Sequence, residues 1–196
     1  MDTVIRMYVS LAPCIFSGIL NMAWCRLPVL KSLAKPIDSY KVMADSRRVF
    51  GDNKTWKGFL GYVLWNCLFT VLWGIICAHS LYLSSRNYLY VNYQNTVIYN
   101  AAAGICLGLA YSVFELPNSF IKRRLGIEPG RTSGGAARIF FIFLDQADSI
   151  FGCVLVLSIV YKMSLPYYFL YVAIGSLTHI FINMLLYFCR LRKNMF

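Results

Sequence analysis

Acidic residues are scarce in this chain of 196 residues: Asp and Glu number 8 against 19 Lys and Arg, and charged residues of both signs make up only 14% of the sequence. The charge that is present leaves long gaps. Met7 to Cys25, Gly58 to Ser85, Asn87 to Phe114 and Met163 to Cys189 contain no Asp, Glu, Lys or Arg, and Ile139 to Tyr161 contains none but Asp145 and Asp148. A soluble core of this size does not need apolar runs of that length, so the chain reads as a membrane protein. Seven cysteines occur without a CxxC pair, and they sit in or beside the apolar runs as packing or lipid-facing residues. No small-x-small cleavage site follows the first run, which makes it a retained helix and not a signal peptide. Internal repeats, low-complexity tracts and the paired broken helices of inverted-repeat transporters are also missing.

A bilayer core of about 30 Å takes about 20 helical residues. The sequence therefore predicts an all-α integral membrane protein with one domain over 1–196 and five spans, at 7–25, 58–79, 95–115, 139–161 and 166–189. Loops 26–57 and 116–138, with the tail after span five, hold 16 of the 19 basic residues, and the opposite side holds only Arg6, Arg86 and Lys162. The positive-inside rule then puts the N-terminus outside and the C-terminus in the cytoplasm, in the cell membrane. Tyr88, Tyr90 and Tyr93 on one outer loop and Tyr167, Tyr168 and Tyr171 on the other suit an interfacial belt. Gly104 and Gly108 in span three have the GxxxG spacing that lets two helices approach closely. The same span is expected to stop at Glu115-Leu116-Pro117, because proline forfeits a helical hydrogen bond.

Two carboxylates inside an apolar run need an explanation. Counting from Arg138, Asp145 and Asp148 lie roughly 10 and 15 Å along the fourth span, too deep to reach the headgroups. Spaced i and i+3, they share one helical face with Cβ atoms about 5–6 Å apart, close enough to ligate a divalent cation. Mg²⁺, with Mn²⁺ as a substitute, prefers oxygen ligands and completes its shell with water and substrate phosphate. The basic loops supply groups for such phosphates. One contains RRVFGDNKTWKG, Arg47 to Gly58, and the other contains Asn118, Ser119, Lys122, Arg123 and Arg124 followed by a glycine-rich segment at 130–135. Lysine and arginine clamp phosphate, and glycine lets backbone amides approach it.

PID at Pro36 to Asp38, RRVFGDNKTWKG, NSFIKRRLGI from Asn118 and LDQADS from Leu144 together resemble the CDP-archaeol synthase family, in the order and topological places expected there. More distantly, the Ser119-x-x-Lys122-Arg123 element followed by Asp145-x-x-Asp148 is similar to the CDP-diacylglycerol synthases. The resemblance implies a five-helix, Mg²⁺-dependent cytidylyltransferase facing the cytoplasm. It would activate a phosphorylated glycerolipid with CTP and release pyrophosphate; the bilayer would be its other partner, and nucleic acid would not. In that scheme Asp145 and Asp148 hold the metal, with Lys122 beside them as the third catalytic residue. Asp52, Lys54, Thr55, Lys57, Asn118, Ser119, Lys122 and Arg123 bind CTP. Asp38 and Glu115 are secondary candidates for the metal shell or for orienting a lysine. Ser149 stands where the family has a bulky apolar residue, and the segment before Asp145 is longer than the family's turn, which leaves ether and ester acceptors both open.

A small ion transporter, or another intramembrane lipid transferase, would also bury carboxylates. The remaining deep polar residues are few, Asn66, Asn100, His179 and Asn183, and His179 reads as packed and hydrogen-bonded. The orientation has a direct check: a cysteine placed in the 86–94 loop should react with an impermeant maleimide from outside intact cells, and labelling from the cytoplasmic side alone would reverse the topology.

Overall fold

The polar residues that close the apolar runs also start the helices. The Thr55 hydroxyl accepts from Gly58 N at 3.2 Å and caps α2 (Trp56–Ala78). Thr96 caps α4 (Val97–Arg124) through Tyr99 N in the same way. Such a side chain satisfies one of the amides a helix leaves open at its N-terminus. Around these lie α1 (Asp2–Arg26), the short α3 (Leu81–Ser84), α5 (Ala137–Tyr161) and α6 (Leu165–Phe188). The computed structural model describes residues 2–129 and 137–190, and of residues 137 and 138 only the backbone. The glycine-rich stretch 130–135 with Arg131, the Arg138 side chain, and Arg192 and Lys193 lie outside the described residues. All the long helices are apolar and long enough to cross a bilayer, as the five expected spans require.

The expected end of the third span is overturned. α4 continues through Pro117 to Arg124, because Pro117 sacrifices only its own bond to the Val113 carbonyl, and membrane helices absorb that loss through their neighbours. α1 similarly carries Pro13 inside it. The helices pack in chain order: α1 on α2, α2 on α4, α4 on α5 and α5 on α6. The α2–α4 contact needs its glycines. A Cβ on Gly104 would stand 2.7 Å from Asn66 O and Cys67 Cα, and one on Gly108 2.7 Å from Val63 Cα, so the GxxxG face meets bare backbone.

The tyrosine belt is also revised. Tyr88 and Tyr171 are buried, their hydroxyls 2.7 Å apart, and Tyr171 donates to Thr3 O at 3.0 Å. Tyr90 donates to Asn100 Oδ1 at 3.0 Å. A buried tyrosine needs a partner for its hydroxyl, and these find one by plugging the helix ends. Tyr93 and Tyr167 stay exposed, as a belt requires.

The 26–57 loop folds around Asp38. Its carboxylate accepts from Arg48 Nη2 at 2.5 Å and from the amides of Tyr40, Phe50 and Gly51 at 3.0–3.1 Å. Asp38 is thus the hub of the loop, and the weaker role in a metal shell does not fit a carboxylate already saturated with donors. Arg124 then ties the loop to α4, donating to Asp45 Oδ1 at 2.8 Å and to Arg47 O, while Arg47 donates back to Arg124 O. Burial pushes the Asp38 carboxyl up, but the Arg48 guanidinium and the Phe50 and Gly51 amides outweigh it and hold the group at about 2. A depressed folded value stabilises above the unfolded value and is lost as pH falls through the folded one. The hub should therefore contribute about 2 kcal/mol at neutral pH, decaying below about pH 4. Asp38→Asn should lose that contribution at pH 7 and flatten the acid limb of a thermal-stability profile in detergent.

Candidate functional site

Because α4 does not stop at Pro117, Glu115, Asn118 and Lys122 fall at i, i+3 and i+7 and present one face to α5. Asn118 Nδ2 donates to Asp145 Oδ1 at 2.7 Å and to Asp148 Oδ2 at 2.8 Å, so one amide bridges the two carboxylates. Lys122 Nζ reaches both Asp145 oxygens, at 2.8 and 2.5 Å. Asp148 Oδ1 accepts from Ser149 N at 2.6 Å. Two like charges on adjacent turns repel, and donors from the facing helix offset that repulsion.

Lys54 enters from the 26–57 loop and forms an ion pair with Glu115. Burial pulls the Lys54 ammonium pKa down, but Glu115, Asp148 and Asp145 more than reverse this and raise it above the usual lysine value, so the side chain stays charged. Arg123 is buried, and its Nε and Nη1 find no hydrogen-bond partner among the described residues. Gly51, at φ +97°, passes so close that a Cβ there would stand 3.5 Å from Arg123 Nη1 and 2.8 Å from Pro129, which only glycine allows. Asn118 Oδ1 is likewise buried without a donor. Orphaned buried polar atoms are rare and call for a ligand or ion.

These groups line one end of a cavity of about 640 Å³. Its other end is apolar and runs between α1 and α6, past Leu11 and Ile15 on one side and Ile182 and Leu186 on the other. Of the expected CTP contacts, Asp52, Ser119, Lys122 and Arg123 line the cavity with Lys54 and Asn118. Asp52 is largely exposed and paired with Arg48 at 2.8 Å. Two others are turned to structural work. The Thr55 hydroxyl caps α2, and Lys57 is buried with Nζ donating to Leu27 O at 2.6 Å and lying 5.0 Å from the Trp24 ring centroid. Both also border the cavity, but neither joins the cluster around the aspartates. Glu115, a candidate for orienting a lysine, pairs with Lys54, and its i, i+3, i+7 relation to Asn118 and Lys122 puts it on their face once α4 continues past Pro117. His179 is packed as expected, with Nδ1 3.0 Å from Gln146 O.

The donor set at the aspartates suits a divalent metal. Asp145, Asp148 and the orphaned Asn118 Oδ1 are all oxygen donors, as Mg²⁺ and Mn²⁺ require. No group of three His, Cys, Asp or Glu converges among the described residues, so water and phosphate oxygens would complete the shell. The residues fit a hard divalent cation.

The family described as CarS-like, CDP-archaeol synthase, matches residues 14–196. The chain belongs to the CDP-archaeol synthase family. A CDP-archaeol synthase from Thermofilum pendens is 30% identical over 185 residues, covering 92% of this chain and 72% of the relative. One from Pyrococcus furiosus is 36% identical over 110 residues, 55% of this chain and 56% of the relative. The chain thus spans little more than half the length of the Pyrococcus relative it matches. A solved structure described as an intramembrane enzyme for archaeal membrane lipid biosynthesis aligns with a TM-score of 0.59 at 24% identity, covering 90% of this chain and 92% of that one. The five-helix fold is therefore shared with it. Every residue of the aspartate cluster lies inside the family match, and membership in CDP-archaeol synthases does not favour a transporter.

The Lys54–Glu115 pair links the loop to α4 and can be tested alone. Lys54→Met and Glu115→Gln should each lower the thermal midpoint in detergent, and the double variant should lose less than the sum of the two, by about 1 kcal/mol. Strict additivity would mean that the two side chains do not interact.

Proposed function

We propose that the protein is a CTP-dependent cytidylyltransferase that converts a phosphorylated glycerolipid to a CDP-lipid and releases pyrophosphate, with its site facing the cytoplasm. The observation that carries this reading is one cavity with two characters. A cluster of carboxylates, lysines and an arginine at one end continues into an apolar cleft between helices at the other. A substrate with a phosphate head and hydrocarbon tails matches both ends. The cytoplasmic facing rests on the excess of basic residues on the loops that build the polar end, and CTP and the lipid acceptor come from membership in the CDP-archaeol synthase family.

In the reaction a lipid phosphate oxygen attacks the α-phosphorus of CTP in line, a P–O bond forms there, and the bond to the β-phosphate oxygen breaks to free pyrophosphate. The protein's share is positioning and electrostatics. Lys122 and Lys54 are held by carboxylates at the cavity wall and can exchange these for phosphate oxygens when the nucleotide enters. Arg123, with two unpartnered nitrogens, already has donors free for it. Asn118 holds Asp145 and Asp148 in register, and Ser119 beside it is the proposed contact for the nucleoside. Lys54, Lys122 and Arg123 are balanced by Glu115, Asp145 and Asp148, which leaves no surplus positive charge for a polyanionic nucleotide. A divalent cation on Asp145 and Asp148 would supply that charge and polarise the phosphoryl group under attack.

Asp145→Asn and Asp148→Asn retain size and helix but remove the charge. Each should slow CTP-dependent pyrophosphate release by about a thousandfold, the equivalent of about 4 kcal/mol at the transition state, while the protein remains folded in detergent. Full activity in both variants, measured at several Mg²⁺ concentrations, would refute the assignment.

A further inference from the structure

We propose that the cleft between α1 and α6 is a blind groove whose depth sets the longest acceptor tail the enzyme takes, with the Tyr8–Thr178 pair as its end wall. The inference rests on the reading of the acceptor as a phosphorylated lipid and adds which residues measure it. α1 and α6 are not packed along their length but pinned at intervals. Near one end Tyr171 donates to Thr3 O at 3.0 Å, and farther along Tyr8 Oη lies 2.9 Å from Thr178 Oγ1. The Thr178 hydroxyl gives its own proton to Ile174 O at 2.9 Å, so Tyr8 is the donor in the pair. At the opposite end Arg26 Nη1 donates to Arg190 O at 2.9 Å. Between these pins the helices stand apart. Leu11, Ile15, Gly18 and Met22 follow one another along one face of α1, opposite Ile182 and Leu186 of α6.

The groove is closed at the level of Tyr8. Met7 is 1% exposed and fills the space behind it. α6 presses onto α5 there so tightly that a Cβ on Gly175 would come 2.7 Å from Ile150 Cγ2. From Cys25, beside the polar cluster, to Tyr8 is 17 residues of α1, about 25 Å at the helical rise. That approaches the about 30 Å of a bilayer's hydrocarbon core, and Tyr8 lies two residues past Arg6, so the wall stands at the outer edge of the hydrocarbon. A longer tail would have to bend out between the helices or part the Tyr8–Thr178 pair. Parting it costs the Tyr8 hydroxyl its hydrogen bond to Thr178. A shorter tail leaves the end of the groove unfilled and forfeits contact area.

Gly18 gives the means of testing this. It lines the groove, and a Cβ there would meet nothing nearer than Tyr62 Cε2 at 3.8 Å, an ordinary contact. Gly18→Leu should therefore place its Cβ without strain, improve helix propensity and send the rest of its side chain into the groove near mid-length. Tyr8→Ala removes the end wall. CTP-dependent pyrophosphate release is measured for wild type and both variants with glycerolipid phosphates whose saturated tails lengthen stepwise, and each variant is referred to its own rate on the shortest acceptor. Wild type should show a fall in kcat/KM beyond one tail length. In Gly18→Leu that break should move to shorter tails and lower the long-to-short ratio by about tenfold, what keeping about two methylenes out of an apolar groove costs. In Tyr8→Ala it should move to longer tails. Thr178→Val keeps the volume of the wall but removes the acceptor of the Tyr8 hydroxyl, so the break should move toward longer tails, by less than in Tyr8→Ala. If Tyr8→Ala does not fold, Gly18→Leu decides alone. An unchanged break in Gly18→Leu would overturn the groove, while CTP-dependent turnover of short acceptors would still uphold the underlying reading. Absence of pyrophosphate release from wild type with every acceptor would overturn both.

Discussion

The Asn118 side-chain amide is the contact on which the rest of the site depends. Asp145 and Asp148 sit one turn apart in an otherwise apolar helix, where two carboxylates repel each other more strongly than they would in water. A single Nδ2 group donates to both, and Lys122 holds Asp145 from one turn farther along the same helix. Those donors exist in place only because α4 extends past Pro117. Nearer its start, α4 meets α2 backbone to backbone at Gly104 and Gly108, which fixes where the helix stands. The depth of the aspartates and the length of α4 thus form one linked constraint.

Much of this was legible in the sequence. Charge-free runs gave the five helices and their approximate ends, because an apolar span has a physical length and charged residues mark where it leaves the hydrocarbon. The aspartate pair and its basic neighbours stood out for the same reason, since intramembrane charge is expensive. The errors share a different cause. Pro117 was read by a rule for isolated helices, and packing against α2 and α5 overrode it. Lys57 follows Lys54 closely in KTWKG and borders the same cavity, but its ammonium turns toward Leu27 and Trp24 and not to the aspartates. Tyr88 and Tyr171 were counted as belt residues because tyrosine is common there, whereas their hydroxyls are paired in the interior. In each case the direction of a side chain was set by tertiary neighbours that no local pattern encodes.

The 26–57 loop has a division of labour that its basic composition conceals. Arg47, Arg48 and Arg124 are spent on backbone carbonyls and on Asp38, Asp45 and Asp52. They shape the loop and fasten it to α4, leaving Lys54 as the loop's cation at the aspartate cluster. The positive charge of this region is thus largely architectural, and fewer groups than the composition suggests are free to meet an anionic substrate.

Placing the apolar cleft between α1 and α6 also bears on biogenesis. Helices that pack in chain order can associate as they emerge, each against the one before it. The cleft is different, because its walls are two helices far apart in sequence. α1 must wait in the bilayer, one flank open to lipid, until α6 has been inserted and the Tyr8, Thr3 and Arg26 contacts can form. Lipid therefore occupies that flank first, and the arrival of α6 encloses a space that hydrocarbon has filled from the outset.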